Sequence, residues 1–124
     1  MLNKKSTFFL AAVWTLVVTY LSLASIDTSV GNEIHIPNKD KMVHFVFYFL
    51  FVFLWTFFAN FKKTVFNSSL KILLIAVFYG IMMEVFQELF TTDRTADVFD
   101  VVANSCGALV GYFAINRYLK NKTL

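Results

Sequence analysis

The chain is poor in the residues that mark an aqueous domain. Charged side chains make up only 15% of its 124 residues, against about 25% in soluble domains. It has one proline and four glycines beside sixteen phenylalanines. So many aromatic rings could not be hidden in the core of so small a soluble protein. A single cysteine, Cys106, excludes an intramolecular disulfide; in its apolar stretch it reads as a small packing residue rather than a nucleophile. At this length there is room for one domain, residues 1–124. The net charge of +3 does not indicate a nucleic-acid partner. The charges stand at the ends of apolar runs, where they orient a chain in a membrane.

What is present is hydrophobic sequence, 58% of the chain, gathered into four runs at about 8–23, 43–61, 70–90 and 98–115. Each is near the roughly 20 residues that cross a bilayer as helix. They lack period-2 alternation, and lipid admits only helices or closed barrels. The expected fold is all-α, an integral membrane bundle of four transmembrane helices in contact with the lipid bilayer. The first run also admits a signal-peptide reading, with Lys4 and Lys5 ahead of it and Ser22-Leu23-Ala24 as a small-x-small site. A retained helix gives an even number of spans and a consistent topology. Asn67-Ser68-Ser69 reads as a turn and cap before the third helix, and residues 91–95 as a short outer connection.

Charge sets the orientation. Lys4, Lys5, Lys62, Lys63, Lys71, Arg117, Lys120 and Lys122 fall on one side, and Lys39, Lys41 and Arg94 on the other. The positive-inside rule makes the first side cytoplasmic, with both termini on it. All eight acids, Asp27, Glu33, Asp40, Glu84, Glu88, Asp93, Asp97 and Asp100, lie in outer loops or outward ends of spans.

Ionisable groups within a span cost at least about 2.5–3.5 kcal/mol each on insertion scales, so they face protein or water and point to function. At about 1.5 Å per residue, Glu84 lies roughly 9 Å down its helix from Phe90, His44 about 6 Å past Asp40, and Asn104 about 10 Å past Asp97. Three helices thus carry polar groups at one depth. At about 100° per residue, Asp97, Asp100, Asn104, Gly107 and Gly111 share a face, as do Gly80, Glu84, Gln87 and Glu88. Gly107 and Gly111 form a G-x-x-x-G pair, suited to close helix packing.

Several chemistries suit this cluster. His44, Glu84 and Asp100 are candidates for proton transfer or metal binding. Lys41, Arg94 and a charged His44 suit an anionic head group, with Gln87 and Asn104 as orienting hydrogen-bond partners. His44, Glu84, Glu88, Asp97 and Asp100 offer nitrogen and oxygen donors suited to a divalent metal, and Glu84 and Glu88, four residues apart, could both reach one ion. No H-E-x-x-H or similar ligand string occurs, however, and no metal or other cofactor is assigned. A network of ion pairs that only fixes helix packing is the structural alternative, Arg94 with Asp97 or Glu88 among them.

The pattern resembles the VanZ-like family. Asp40-Lys41-x-x-His44-x-x-x-Tyr48 is similar to that family's D-K-x-x-H motif, and Glu84-x-x-Gln87 to its E-x-x-Q. Arg94-x-x-Asp97-x-x-Asp100-x-x-x-Asn104-x-x-Gly107-x-x-x-Gly111 is similar to its R…D…N-x-x-G-x-x-x-G signature. The resemblance runs from about residue 8 to 115. It departs at Asp93, where the family often has glycine. It implies a bacterial inner or plasma membrane protein, related to one that lowers susceptibility to the glycopeptide teicoplanin. It also carries over Asp40, Lys41, His44, Glu84, Gln87, Arg94, Asp100 and Asn104 as the family's polar positions. The leading expectation is a cell-envelope protein whose outward polar pocket binds and modifies a lipid-linked or peptidoglycan-related substrate, with Asp40, Lys41, Gln87, Arg94 and Asn104 on the substrate side. The alternatives are a proton- or ion-coupled transporter, and a non-enzymatic assembly partner that uses Gly107 and Gly111 as an interface. A homodimer is compatible with each.

Overall fold

The computed structural model describes residues 3–24, 39–61, 65–91 and 96–123, with side chains for all of these but 39, 40, 65–67 and 123. Among the described residues the chain forms four helices, α1 (Lys4–Leu23), α2 (Lys39–Asn60), α3 (Val65–Phe90) and α4 (Val98–Thr123). Their 20, 22, 26 and 26 residues correspond to about 30–39 Å at 1.5 Å per residue, enough to cross a hydrocarbon core of about 30 Å. All four are long and apolar enough to be membrane spans.

The helices outrun the apolar segments at several ends. Hydropathy marks where lipid stops, whereas the backbone ladder continues wherever side chains allow it. At the end of α4, Lys120 and Lys122 stand in the last turn, where cations complement the helix dipole. One expectation is overturned. Asn67-Ser68-Ser69 does not form a turn and cap but lies inside α3. Ser69 is fully buried, because a small side chain allows a neighbouring helix to approach in a membrane.

α1 begins at a capped end, with Asn3 Oδ1 accepting the Ser6 N–H at 2.8 Å, so one orphan donor of the first turn is satisfied. Two indoles tie it to α2. Trp14 Nε1–H donates to the Phe47 carbonyl and Trp55 Nε1–H to the Thr15 hydroxyl, each at 2.9 Å. Thr19 and Tyr79 share a hydroxyl hydrogen bond between α1 and α3. Such bonds between helices average about 0.6 kcal/mol in lipid.

The closest helix pair is α2 with α4, and glycine sets the distance. A Cβ on Gly107 would lie 2.1 Å from the Phe45 carbonyl oxygen, and one on Gly111 would lie 2.7 Å from that of Phe49. The G-x-x-x-G face is therefore closed by the chain's own second helix. It is not the free interface that an assembly partner would use.

Around this pair, Val18, Tyr48, Phe51, Val52, Leu73, Ala76 and Ala108 form the core. Phe9, Leu16, Phe78, Leu89, Phe90, Phe99 and Phe113 are all more than 60% exposed. Meanwhile Thr7, Ser22, His44, Thr56, Ser69, Glu84, Gln87, Asp100 and Asn104 are buried. Polar groups inside and large apolar groups outside is the arrangement that lipid favours and water does not. Cys106 departs from its expected packing role. It is exposed on the outer surface of α4, one residue before the glycine that meets α2.

Candidate functional site

The up-and-down connection of four antiparallel helices brings the end of α1, the start of α2, the end of α3 and the start of α4 to one end of the bundle. The polar residues expected at a common depth are concentrated there. His44 (6% exposed), Glu84 (3%), Gln87 (2%), Asp100 (6%) and Asn104 (1%) are all buried.

Asp97 starts α4. Its Oδ1 accepts the Phe99 N–H at 2.9 Å, which is how an aspartate caps a helix, and its Oδ2 receives Lys41 Nζ at 2.8 Å. With Lys41 first and the Phe99 N–H second, these contacts hold the Asp97 carboxyl below the usual carboxylate range. Lys41 also donates to Asp100 Oδ1 at 2.5 Å. Its ammonium therefore bridges two carboxylates one helical turn apart and ties α2 to α4.

Deeper in, Asp100 Oδ2 lies 3.6 Å from His44 Nε2. The other ring nitrogen, Nδ1, lies 2.9 Å from Asn104 Oδ1. An amide oxygen only accepts, so Nδ1 carries a proton and Nε2 faces the carboxylate. From α3, Glu84 Oε2 accepts the Asp97 N–H at 3.2 Å and Glu88 Oε2 accepts the Ala96 N–H at 2.5 Å. The two α3 carboxylates thus hold the backbone that leads into α4. Gln87 Nε2 donates to the Ser22 carbonyl of α1 at 2.8 Å.

Two buried polar atoms of the cluster, Glu84 Oε1 and Asn104 Nδ2, have no hydrogen-bond partner among the described residues. The amide of Asn104 stands against Gly80, where an added Cβ would meet Nδ2 at 3.1 Å. Gly80 therefore makes room for it.

His44, Glu84, Gln87, Asp100, Asn104 and Lys41 are brought together as the sequence suggested. Arg94 lies outside the described residues, as does the side chain of Asp40, so the expected pairing of Arg94 with Asp97 or Glu88 falls outside them too. Glu88 does not join Glu84 around a shared point. It is exposed and engaged with the Ala96 amide, and the group with converging ligand atoms is His44, Glu84 and Asp100.

Asp97 was visible as part of a polar stripe and as one of five candidate metal donors, but not as the cap of α4 or the partner of Lys41. The signal available was its position just ahead of an apolar run, where aspartate caps helices. The part played by the Ser22 carbonyl carries no sequence signal, since any residue has one.

These features define a polytopic membrane protein with a buried polar cluster at one end of a four-helix bundle. The VanZ/LLP1 family model matches residues 6–119, and the chain belongs to that family. Comparison with curated proteins and with solved structures gives no match in either case.

Proposed function

We propose that this chain is a bacterial plasma-membrane protein, both termini cytoplasmic, whose outer-end polar cluster binds and modifies a lipid-linked or peptidoglycan-related substrate. The observation that carries this reading is the burial of His44, Glu84, Gln87, Asp100 and Asn104 from three helices at one end of the bundle, with the half-exposed Lys41 bonded to Asp100. Five buried polar side chains are a costly way to obtain packing alone.

In this reading Glu84, Asp100 and His44 move protons. Arg94, Asp40, Gln87 and Asn104 hold the substrate. Lys41 reaches an anionic group by loosening from Asp97, the more exposed of its two partners (39% against 9% side-chain exposure). Membership of the VanZ/LLP1 family supports an effect on susceptibility to glycopeptides such as teicoplanin.

The test expresses the parent and Glu84→Gln in a sensitive Gram-positive host at matched membrane levels and compares teicoplanin susceptibility. Protection by the parent, reduced at least about 10-fold in the variant, is the expected outcome. Equal behaviour of the two would remove the cluster from the phenotype.

A further inference from the structure

His44, Glu84 and Asp100 come from α2, α3 and α4, and each offers one ligand atom within 4.8 Å of the other two. The sequence offers these three among five candidate metal donors; the structure decides which converge, with Glu88 turned to the Ala96 amide and Asp97 to Lys41. We propose that they bind a first-row divalent cation of the Mn²⁺ or Zn²⁺ class. The inference concerns the same three side chains that the proposed function has moving protons, and it makes them ligands instead; it does not need the envelope substrate.

Geometry is the first argument. For three atoms no more than 4.8 Å apart, some point lies within about 2.8 Å of all three, against bonds of about 2.0–2.2 Å to nitrogen and oxygen. Small side-chain rotations close that gap without moving a helix.

The unsatisfied carboxylate oxygen is the second argument. Glu84 is 3% exposed and anchors Oε2 on the Asp97 N–H, while Oε1 has no hydrogen-bond partner among the described residues. A buried acceptor without a partner carries its full desolvation penalty, and a cation removes it.

His44 supplies the third. Its Nδ1–H is engaged by Asn104 Oδ1 at 2.9 Å, which presents Nε2 toward Asp100 Oδ2. Holding one ring nitrogen on a carbonyl oxygen so that the other can bind metal is the usual outer support of a histidine ligand. Asn104 is the positioning residue here.

Charge agrees. Among the described residues, the carboxylates of Glu84, Asp97 and Asp100 face one ammonium, that of Lys41. With a neutral imidazole the group carries two negative charges, which one divalent cation balances. One nitrogen and two carboxylate oxygens favour Mn²⁺, Fe²⁺ or Zn²⁺ over Ca²⁺ and Mg²⁺, whose ligand shells are all oxygen.

The test uses the full chain, purified in detergent and stripped with a chelator. It is titrated with Co²⁺ while the visible ligand-field absorption is followed, then with Zn²⁺ in competition. We expect one saturable Co²⁺ site per chain, displaced by Zn²⁺ and not by Mg²⁺. It should persist in His35→Ala, which removes the other of the two histidines, and weaken at least about 10-fold in Glu84→Gln, since losing a ligand costs no less than the roughly 10–100-fold of losing a ligand's outer partner. Should Glu84→Gln not fold, the His44 ring resonances in His35→Ala decide, since Co²⁺ at this site must shift or broaden them. An absent or non-saturating signal in the parent, one unchanged by Glu84→Gln, or one lost with His35→Ala overturns the proposal. The titration contains no envelope material, so its failure and that of the glycopeptide assay are separate results.

Discussion

Asp97 shows how much one residue carries at this end of the bundle. One oxygen caps α4 through the Phe99 N–H and the other holds Lys41 of α2. Both contacts favour the charged form, so its carboxyl titrates below the usual range, which is about 3.9 for aspartate. The folded-state value lies under the unfolded one, so the stabilisation is present above the ordinary aspartate value. It fades as pH falls through the depressed one. Carbon NMR of labelled aspartate carboxyls should show Asp97 titrating below a solvent-exposed aspartate in the parent. In Lys41→Met it should move up toward the ordinary value. An unshifted Asp97 in the parent would remove the Lys41 link from solution.

At the scale of elements, the α2–α4 seam rests on two glycines. The Phe45 carbonyl 2.1 Å from a Gly107 Cβ belongs to a helix backbone and cannot swing aside as a side-chain tip would. Gly107→Ala must therefore push the helices apart, and overpacking of this kind typically costs about 1–3 kcal/mol. Gly111→Ala, with its nearest atom at 2.7 Å, should cost less. Thermal unfolding in one detergent orders the three proteins, parent above Gly111→Ala above Gly107→Ala. The seam also sets the depth of His44 against Asn104, only three residues before Gly107, so Gly107→Ala should disturb the polar cluster as well as stability.

Across the whole molecule, the described basic residues other than Lys39 and Lys41 and the buried acids lie at opposite ends. Lys120 and Lys122 close α4 in its last turn, while His44, Glu84 and Asp100 converge at the other end. The proposed topology, argued from the positive-inside rule, has the carboxyl-terminal end of α4 in the cytoplasm. A carboxyl-terminal fluorescent-protein fusion should glow and the matching alkaline phosphatase fusion should be inactive. The reverse pattern would put the cluster on the cytoplasmic face and exclude an outer-leaflet substrate.

The number of spans and their rough limits follow from composition and run length, because lipid enforces a simple rule on apolar helices. The common depth of His44, Glu84, Asp100 and Asn104 follows as well, since helical rise is constant. Other features waited for the tertiary structure. That Gly107 and Gly111 receive α2 of their own chain, and not a partner, depends on which helices pack side by side, and the motif is silent on it. Cys106 illustrates the same point, since its rotation about α4 relative to lipid is decided by what α4 packs against. Lys41 on Asp97 and Asp100, and Glu88 on a backbone amide while Glu84 turns inward, are choices among partners that spacing leaves open. They are decided by distance in three dimensions, which one helix's periodicity does not contain.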